Sequence, residues 1–359
     1  MGLVYTITAV LAFALSAAAT FGVRRLALAY GVVDKPGPRK IHSQPVALLG
    51  GVAIYAAFAL VAFGLLASGA IVAGSLATKH VIGLLVGGLW LVIGGVLDDR
   101  YNLAPRKQII WPILATATII ASGIGIESIT NPLGGQWFLH QIDIPIFWLS
   151  GVPYKITLLS DIFTVCWLLG VMYATKFFDG MDGLVSGITI IGAMVVFAVS
   201  LSPKINQPQT ALLALLIAAC FGGFLLFNFN PASIFLGESG STLAGFFLAV
   251  LAIITESKVI TTLVVMSLPI LDLFWVLVRR MIIERVPASR GDRKHIHHRL
   301  LDSGFSQRTA VFLLYTWAAV CGLFALLYQG QSQWYVLFAA IVALVLFAAY
   351  LVRHSKKTV

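Results

Sequence analysis

Long apolar segments alternate with short polar connections along the whole chain. A helix needs about 20 mostly apolar residues to cross a lipid bilayer. Eleven candidate segments are found, of which 241–255 is short. They lie at 3–22, 48–70, 80–97, 109–126, 159–176, 184–201, 208–227, 241–255, 258–280, 309–328 and 332–352. The pattern therefore predicts an all-α polytopic membrane protein, formed as a single integral membrane domain over residues 1–359.

The basic residues are divided unevenly between the two sides of these spans. Of the 24 lysine and arginine residues, all but four lie in the odd-numbered connections or in the C-terminal tail. The exceptions are Lys79, Lys155, Lys204 and Lys258. Because basic residues collect in cytoplasmic loops, we expect the N-terminus outside and the C-terminus in the cytoplasm. The formal charge of +10 then reflects topology, and nucleic acid is not an expected partner.

The composition agrees with lipid as the surrounding solvent. Hydrophobic residues make up 59% of the chain and charged residues 11%, whereas a soluble domain carries about 25% charged residues. This excludes a soluble globular enzyme, a disordered protein and a disulfide scaffold. The outer segment 127–158 has turn residues around short alternating runs, which predicts a small β-hairpin. Polar chemistry is expected in cytoplasmic loops near 23–47, 98–108, 176–184, 228–241 and 281–308.

Two pairs of acids lie where predicted spans end on the cytoplasmic side. Asp98 and Asp99 close the third span. Neighbouring side chains on a helix point about 100° apart, so one carboxylate could face a reaction centre while the other fixes it. Asp179 and Asp182 are spaced i, i+3 beside glycines, which would stack them on one helix face and suit Mg²⁺. The alternatives are a solvated helix end for the first pair and a turn between spans for the second.

Two further motifs combine charge with glycine or histidine. Glu238 lies near glycines at the start of the eighth span, as in a phosphate or metal cradle, and the alternative is a helix capped by Ser239 or Ser241. The segment 294–299 holds three histidines between two basic residues. A zinc site formed by His295 and His298, which are spaced i, i+3, would need a third ligand. No cysteine is available for it, because every cysteine lies in a span. An anion site for phosphate, pyrophosphate or a nucleotide is therefore favoured, with a basic loop that only serves topology as the alternative.

Together these motifs resemble those of the polyprenyl-phosphate N-acetylhexosamine-1-phosphate transferases, the WecA/TagO/MraY-like superfamily. The resemblance runs in the family's order from about residue 20 to about residue 310. It extends to the first cytoplasmic loop and to the segment 269–272 of the ninth span. The matching loop residues are Asp34, Lys35, Pro36, Arg39, Lys40, Ile41 and His42, followed by Gly50 and Gly51. Each motif alone is weak, but the combination is specific.

The resemblance implies transfer of a sugar-1-phosphate from a UDP-sugar to an undecaprenyl-type polyprenyl phosphate, with release of UMP. It implies Mg²⁺ as the cofactor, with Mn²⁺ as a substitute. The histidine pattern is similar to that of the branch that uses UDP-N-acetylglucosamine. The reaction would start a lipid-linked cell-surface glycan at the cytoplasmic face of the inner membrane, and a homodimer is left open.

The same resemblance implies roles for individual residues. The candidate catalytic acids are Asp98, Asp99, Asp179 and Asp182. Glu238 is expected to bind Mg²⁺ with support from Asp179 or Asp182. Asp98 is expected to act as base or orienting group for the lipid phosphate, with Asp99 assisting. A direct attack and a covalent aspartyl route both stay open. The candidate substrate-binding residues are Lys40, His42, Lys107, Lys176, Asn228, His295, His297, His298 and Arg299.

Several positions depart from the family pattern around the expected metal site. Tyr173 and Lys176 stand where asparagine is usual, and Glu238 stands where aspartate is usual. The family lysine that follows the aspartate pair is approximated only by Lys107, with Gln108 beside it. The ammonium group of Lys176 could bind phosphate or compete with Mg²⁺.

Two other functions stay open, and the departures at Tyr173, Lys176 and Glu238 suggest the first of them. One is a weakly active or inactive relative that serves as a binding or assembly partner. The other is a secondary transporter, for which the acids within spans, Asp161 and Asp272, would be the functional groups.

Overall fold

The computed structural model describes residues 2–37, 42–72, 76–140, 143–149, 152–255, 259–285, 295–328 and 330–354. Lys40, a candidate substrate-binding residue, lies outside them. The described chain is mainly helical, and a π-helical turn, Arg279–Ile283, follows α11. The α-helices are α1 (Gly2–Ala29), α2 (Gly50–Ala67), α3 (Thr78–Tyr101), α4 (Pro105–Gln108), α5 (Ile110–Ala121), α6 (Leu158–Phe178), α7 (Leu184–Ser200), α8 (Pro208–Asn228), α9 (Gly237–Ile254), α10 (Val259–Val265), α11 (Ser267–Val278), α12 (Ile296–Asp302), α13 (Gln307–Leu327) and α14 (Ser332–His354).

Each of the eleven predicted segments overlaps a helix, with 258–280 divided between α10 and α11. The helices differ in their ability to cross a membrane. Among the described residues, eight helices are long and apolar enough: α1, α2, α3, α6, α8, α9, α13 and α14. The consecutive helices α10 and α11 meet at 77° and would make a ninth span if they count as one. α7 has 17 residues and α5 has 12, which gives α5 a length of about 18 Å. The chain is a multi-pass membrane protein.

Three small antiparallel sheets of two strands accompany the described helices. β1 (Val33–Asp34) pairs with β2 (Val46–Ala47) in the first connection. The hairpin predicted in 127–158 is confirmed as two successive hairpins. They are β3 (Ser128–Thr130) with β4 (Gln136–Phe138), and β5 (Asp143–Leu149) with β6 (Val152–Thr157).

α9 lies at the centre of the bundle. Of the most apolar 18 residues of α9, 89% are buried, compared with 17% for the corresponding residues of α1 and of α14. α9 packs against α2, α3, α6 and α7, while the large apolar side chains of α1 and α14 are widely exposed. Lipid is therefore the solvent of the outer helices, and α9 is the core element whose first turn carries Glu238.

Glycines let three helices approach closely where α9 begins. A Cβ atom on Gly51 of α2 would clash with the backbone of Gly240, and one on Gly95 of α3 would clash with Ser239. The Gly51 N–H also donates to the Leu236 carbonyl oxygen at 3.0 Å. These contacts hold the start of α2 and the last turns of α3 against the start of α9. The two glycines therefore help to position the neighbouring acids.

Candidate active site

Residues from separate connections meet at one end of the helix bundle. α3 and α6 end there, and α7 and α9 begin there, so acidic motifs that are distant in sequence become neighbours. Asp99 contacts the start of α9, Lys176 of α6 contacts Glu238, and His42 packs against Phe235.

The two carboxylates near the end of α3 have different partners. Asp98 Oδ1 accepts hydrogen bonds from the Leu103 backbone N–H at 2.8 Å and from Gln108 Nε2 at 2.7 Å. Asp99 Oδ1 accepts one from the Glu238 backbone N–H at 3.0 Å. Asp98 therefore fixes the turn that follows α3, whereas Asp99 joins α3 to the start of α9.

The second carboxylate oxygen of Asp99, Oδ2, lies against the start of α9. Oδ2 is buried and has no hydrogen-bond partner among the described residues. It lies beside Gly237, where a Cβ atom would clash with it. Gly237 has a φ of 70°, a conformation that favours glycine. Because buried polar atoms are nearly always hydrogen-bonded, this oxygen makes Asp99 a candidate for contact with a further group.

The alternative that a serine of α9 caps its own helix is wrong. Ser241 Oγ donates to the Gly237 carbonyl oxygen at 3.0 Å, and Ser239 Oγ is buried without a partner among the described residues. The backbone N–H of Glu238 is instead satisfied by Asp99, and a carboxylate at a helix N-terminus is stabilised by the helix dipole. The cap comes from another helix, which the local sequence does not reveal.

An ion pair joins two of the residues that depart from the family pattern, Lys176 and Glu238. Lys176 Nζ lies 2.6 Å from Glu238 Oε1, and both side chains are mostly buried, with exposures of 17% and 18%. The same ammonium group donates to Gln108 Oε1 at 3.1 Å and lies 5.5 Å from the centre of the Tyr173 ring. Since the Gln108 amide group also reaches Asp98, polar contacts connect α3 with α9 through Lys176.

Asp179 and Asp182 do not stack on a helix. α6 ends at Phe178, and residues 179–183 form the turn before α7. Asp182 Oδ2 accepts hydrogen bonds from Asn230 Nδ2 at 2.9 Å and from the Ala232 backbone N–H at 3.0 Å. The alternative of a turn between spans is confirmed, because the chain leaves the helix at these glycine-flanked positions.

Asp179 experiences the charge of the other acids. Burial raises the pKa of Asp179 to about 8, and repulsion from Asp182, Glu238 and Asp99 acts in the same direction. A side chain with this pKa is largely protonated at neutral pH, so Asp179 can donate a hydrogen bond there.

The described residues form a poor site for Mg²⁺ in this arrangement. Of the three carboxylates expected to hold the ion, Glu238 is paired with Lys176, and Asp182 is bonded to Asn230 and Ala232. No group of three or more Asp, Glu, His or Cys side chains in the described part of the chain could hold a metal ion. A divalent ion at Glu238 would have to displace the ammonium group.

A carboxylate of α11 fixes the histidine segment. His295 Nδ1 lies 2.6 Å from Asp272 Oδ2, and the Ile296 backbone N–H donates to Asp272 Oδ1 at 2.9 Å. Both side chains of the His295–Asp272 pair are less than 10% exposed. Asp272 therefore holds the start of α12 in place.

His297 packs against the turn that carries Asp179. It is 1% exposed, its ring lies 5.7 Å from that of Phe178, and a Cβ atom on Gly180 would clash with its Nε2. Burial lowers the pKa of His297 well below its usual range, and repulsion from His298 and His295 adds to this. His297 therefore favours its neutral form and offers no charge to an anion.

His42 joins the first connection to the site. Its ring nitrogens lie 2.8 Å from the Gln44 carbonyl oxygen and 3.0 Å from Asp34 Oδ2, and its ring lies 5.3 Å from that of Phe235. The neighbouring candidate, Lys40, is outside the described residues.

Other substrate-binding candidates differ in their surroundings. Asn228 is buried, its Nδ2 donates to the Ile234 carbonyl oxygen at 3.0 Å, and its Oδ1 accepts from Ser186 Oγ at 2.8 Å. Lys107 is exposed beside Gln108. His298 and Arg299 are partly buried in α12. Their roles in binding substrate stay predictions, and the contacts of Asn228 fit a structural role.

Two residues belong to the site although the motifs did not assign them to it. Asp272 fixes the histidine segment, and Gln108 bridges Asp98 and Lys176. Asp272 ends the segment 269–272 that resembles the family, and Gln108 is next to Lys107 where the family lysine was expected. Both positions had a sequence signal, but only the fold shows which groups they contact.

Comparison with known proteins identifies the family of the chain. The profile of glycosyl transferase family 4 matches residues 81–256, which contain the acids of α3, α9 and the turn between α6 and α7. The decaprenyl-phosphate N-acetylglucosaminephosphotransferase of Mycolicibacterium smegmatis is 30% identical, over 94% of this chain and 86% of the relative.

Two further relatives match over most of their length. The probable undecaprenyl-phosphate N-acetylglucosaminyl 1-phosphate transferase of Bacillus subtilis is 28% identical, over 90% of this chain and 84% of the relative. The undecaprenyl-phosphate alpha-N-acetylglucosaminyl 1-phosphate transferase of Yersinia pestis is 26% identical, over 96% of this chain and 90% of the relative. The matches confirm the resemblance seen in the motifs, and the chain belongs to glycosyl transferase family 4.

Proposed function

We propose that the protein transfers N-acetylglucosamine-1-phosphate from UDP-N-acetylglucosamine to an undecaprenyl-type phosphate, and that UMP is released. The observation that carries the proposal is the meeting of Asp98, Asp99, Glu238 and the histidine segment at one end of the helix bundle. Relatives named as polyprenyl-phosphate N-acetylglucosamine-1-phosphate transferases align over most of the chain, which supports this donor and this acceptor.

In the proposed reaction an oxygen of the lipid phosphate forms a bond to the β-phosphorus of the UDP-sugar. The bond from that phosphorus to the oxygen bridging the two phosphates breaks, and UMP leaves with the bond's electron pair. Two anions must approach each other, so oriented groups that offset their repulsion would supply most of the catalysis. Burial of the lipid chain among apolar helices explains why this chemistry belongs to a membrane protein.

We assign the role nearest the lipid phosphate to Asp99, and not to Asp98 as the motifs suggested. Asp98 Oδ1 already accepts hydrogen bonds from Leu103 and Gln108, whereas Asp99 Oδ2 is buried without a partner among the described residues. Asp99 would act as base or as orienting group, and as nucleophile if the route is covalent. The histidine segment would hold the pyrophosphate or the sugar.

The proposed topology has eleven spans, with the N-terminus outside and the site facing the cytoplasm from the inner membrane. It would add α5 and α7 to the nine candidate spans. The meeting of the first, third, fifth and ninth connections at one end of the bundle supports it, because eleven spans place all odd-numbered connections on one side. A homodimer stays a prediction.

Mg²⁺, with Mn²⁺ as substitute, also stays a prediction for this chain. Its ligands would be Glu238 with Asp179, and it would supply positive charge to the pyrophosphate. The pairing of Glu238 with Lys176 opposes this assignment, so no step of the proposed reaction is assigned to a metal.

The test uses the purified full chain with undecaprenyl phosphate and UDP-N-acetylglucosamine labelled in the sugar. We expect labelled lipid and one UMP for each sugar transferred, and much less product with UDP-N-acetylgalactosamine. Glu127→Gln, which changes an exposed acid, serves as a control with unchanged activity. No labelled lipid with any UDP-hexosamine, with or without Mg²⁺, would overturn the proposal.

A further inference from the structure

The departures from the family pattern are neighbours in space. Lys176 and Glu238 lie on different helices, and their charged atoms are 2.6 Å apart. Gln108, which stands beside the expected family lysine, accepts a hydrogen bond from the same ammonium group at 3.1 Å. The Tyr173 ring lies within 5.5 Å of it. Substitutions that look independent along the sequence therefore form one polar unit.

The charges of this unit cancel. An asparagine and an aspartate at these two positions would leave one negative charge, which a divalent cation could neutralise. Lysine and glutamate together are neutral, so Glu238 has its counter-ion within the protein. A divalent ion placed next to Glu238 would also be repelled by the ammonium group at close range, in a partly buried setting where such repulsion is weakly screened.

The lengths of the two side chains fit this pairing. Glutamate reaches one methylene group further than aspartate, and lysine carries its charge on a flexible four-carbon stem. The two charged atoms meet across the contact between α6 and α9. From that position the ammonium group also holds Gln108, whose amide group donates to Asp98 Oδ1 at 2.7 Å.

We propose that the ammonium group of Lys176 is the built-in cation of the site. It neutralises Glu238 and orients Asp98 through Gln108, in the place where a divalent ion would otherwise bind to Glu238. Lys176 is thus a positioning residue that weakens the affinity of the site for divalent metal. The proposal concerns the site itself and rests on the proposed function only for its consequence that turnover needs less added metal.

The test measures the binding of Mn²⁺ to the full-length protein in detergent, from the EPR signal of the free ion and without any substrate. Lys176→Asn removes the ammonium group, so we expect this variant to bind Mn²⁺ at least about tenfold more tightly than the wild type. Lys176→Gln keeps a polar side chain of similar reach and is expected to change the affinity in the same direction. It secures the test if the asparagine variant does not fold.

The matched control is Lys204→Asn, which removes an exposed lysine beyond the far end of α7. It should bind Mn²⁺ with the wild-type affinity. Equal affinities of the wild type and both Lys176 variants would overturn the proposal, as would a wild type that binds more tightly than they do.

A second measurement separates this proposal from the proposed function. If the chain forms the lipid product, turnover by the wild type should persist in EDTA, while turnover by the Lys176→Asn variant should fall at least about tenfold. Loss of wild-type turnover in EDTA would contradict the proposal. A chain that forms no product at all would overturn the function, and the Mn²⁺ affinities would still decide the role of Lys176.

Discussion

The carboxylate cluster and the histidine segment lie at the same end of the bundle but are held in different ways. In the cluster, Glu238 is paired with a base from another helix, and Asp99 caps α9. In the histidine segment, Asp272 fixes His295, and the buried His297 is held neutral. The first region depends on a balance of charge between helices, and the second depends on packing and hydrogen bonds.

The two regions also differ in how closely they follow the family pattern. The histidine segment fits the resemblance seen in the sequence, whereas Lys176 and Glu238 of the cluster depart from it. In the cluster, one substitution is matched by another across 62 positions of sequence. A departure from a motif is therefore better judged by its neighbours in space than by its position in the motif.

The largest expected effect is at Asp99. Asp99→Asn keeps the size of the side chain but removes the charge that caps α9 and one of the two acceptor oxygens. We expect kcat/KM for lipid product to fall by about 100-fold or more, the scale for removing one preorganised electrostatic group. Glu127→Gln is the control. A loss of less than about threefold would refute the role given to Asp99.

The next effect is at Asp272, in the other region. Asp272→Asn keeps one acceptor oxygen for the Ile296 N–H but replaces the charged oxygen that faces His295 Nδ1 with a neutral NH2 group. We expect kcat/KM for lipid product to fall by about 10- to 100-fold, which corresponds to the loss of a hydrogen bond to a charged group. The loss should appear mainly as a higher KM for the UDP-sugar. A KM change confined to the lipid would contradict this positioning role.

The packing of His297 gives a smaller effect, on stability. Gly180→Ala would drive a Cβ atom into a ring that is 1% exposed and packed against Phe178. We expect a loss of about 1–3 kcal/mol in the free energy of unfolding, measured in detergent. Gly170→Ala is the matched control, because a Cβ atom there meets nothing within 4 Å. Equal stability of the two variants would contradict the described packing.

The smallest effect is the pH dependence that His297 adds to stability. Its pKa is lower in the folded than in the unfolded protein, so below pH 6.5 the unfolded chain takes up the proton first. Acidification from pH 7 to pH 5 should therefore destabilise the wild type more than His297→Gln. The exposed His140, changed to Gln, serves as control. If the free energies of unfolding of the wild type and His297→Gln change with pH in parallel, the lowered pKa of His297 is refuted.

Much of the helical architecture could be predicted from the sequence, because lipid requires long apolar helices and the chain shows them clearly. The acidic motifs were also recognisable, because charged residues are rare in this chain. The bend between α10 and α11, the cap that Asp99 provides and the Lys176–Glu238 pair could not be predicted. Each depends on contacts between segments that are distant in sequence.

Asp179 and Asp182 show the limit of local spacing. Their i, i+3 separation suggested one helix face, yet the turn directs Asp182 to Asn230 and Ala232. Local sequence allowed both a helix and a turn there, and tertiary hydrogen bonds decided between them.

The most direct test of the account is a double-mutant cycle on Lys176 and Glu238, measured as the free energy of unfolding in detergent with EDTA present. Lys176→Gln and Glu238→Gln each leave a partly buried charge without its partner, whereas the double variant leaves none. We predict that the double variant is more stable than the sum of the single effects implies, by about 1–3 kcal/mol. Additive effects, within about 0.5 kcal/mol, would contradict the claim that the two residues act as one unit.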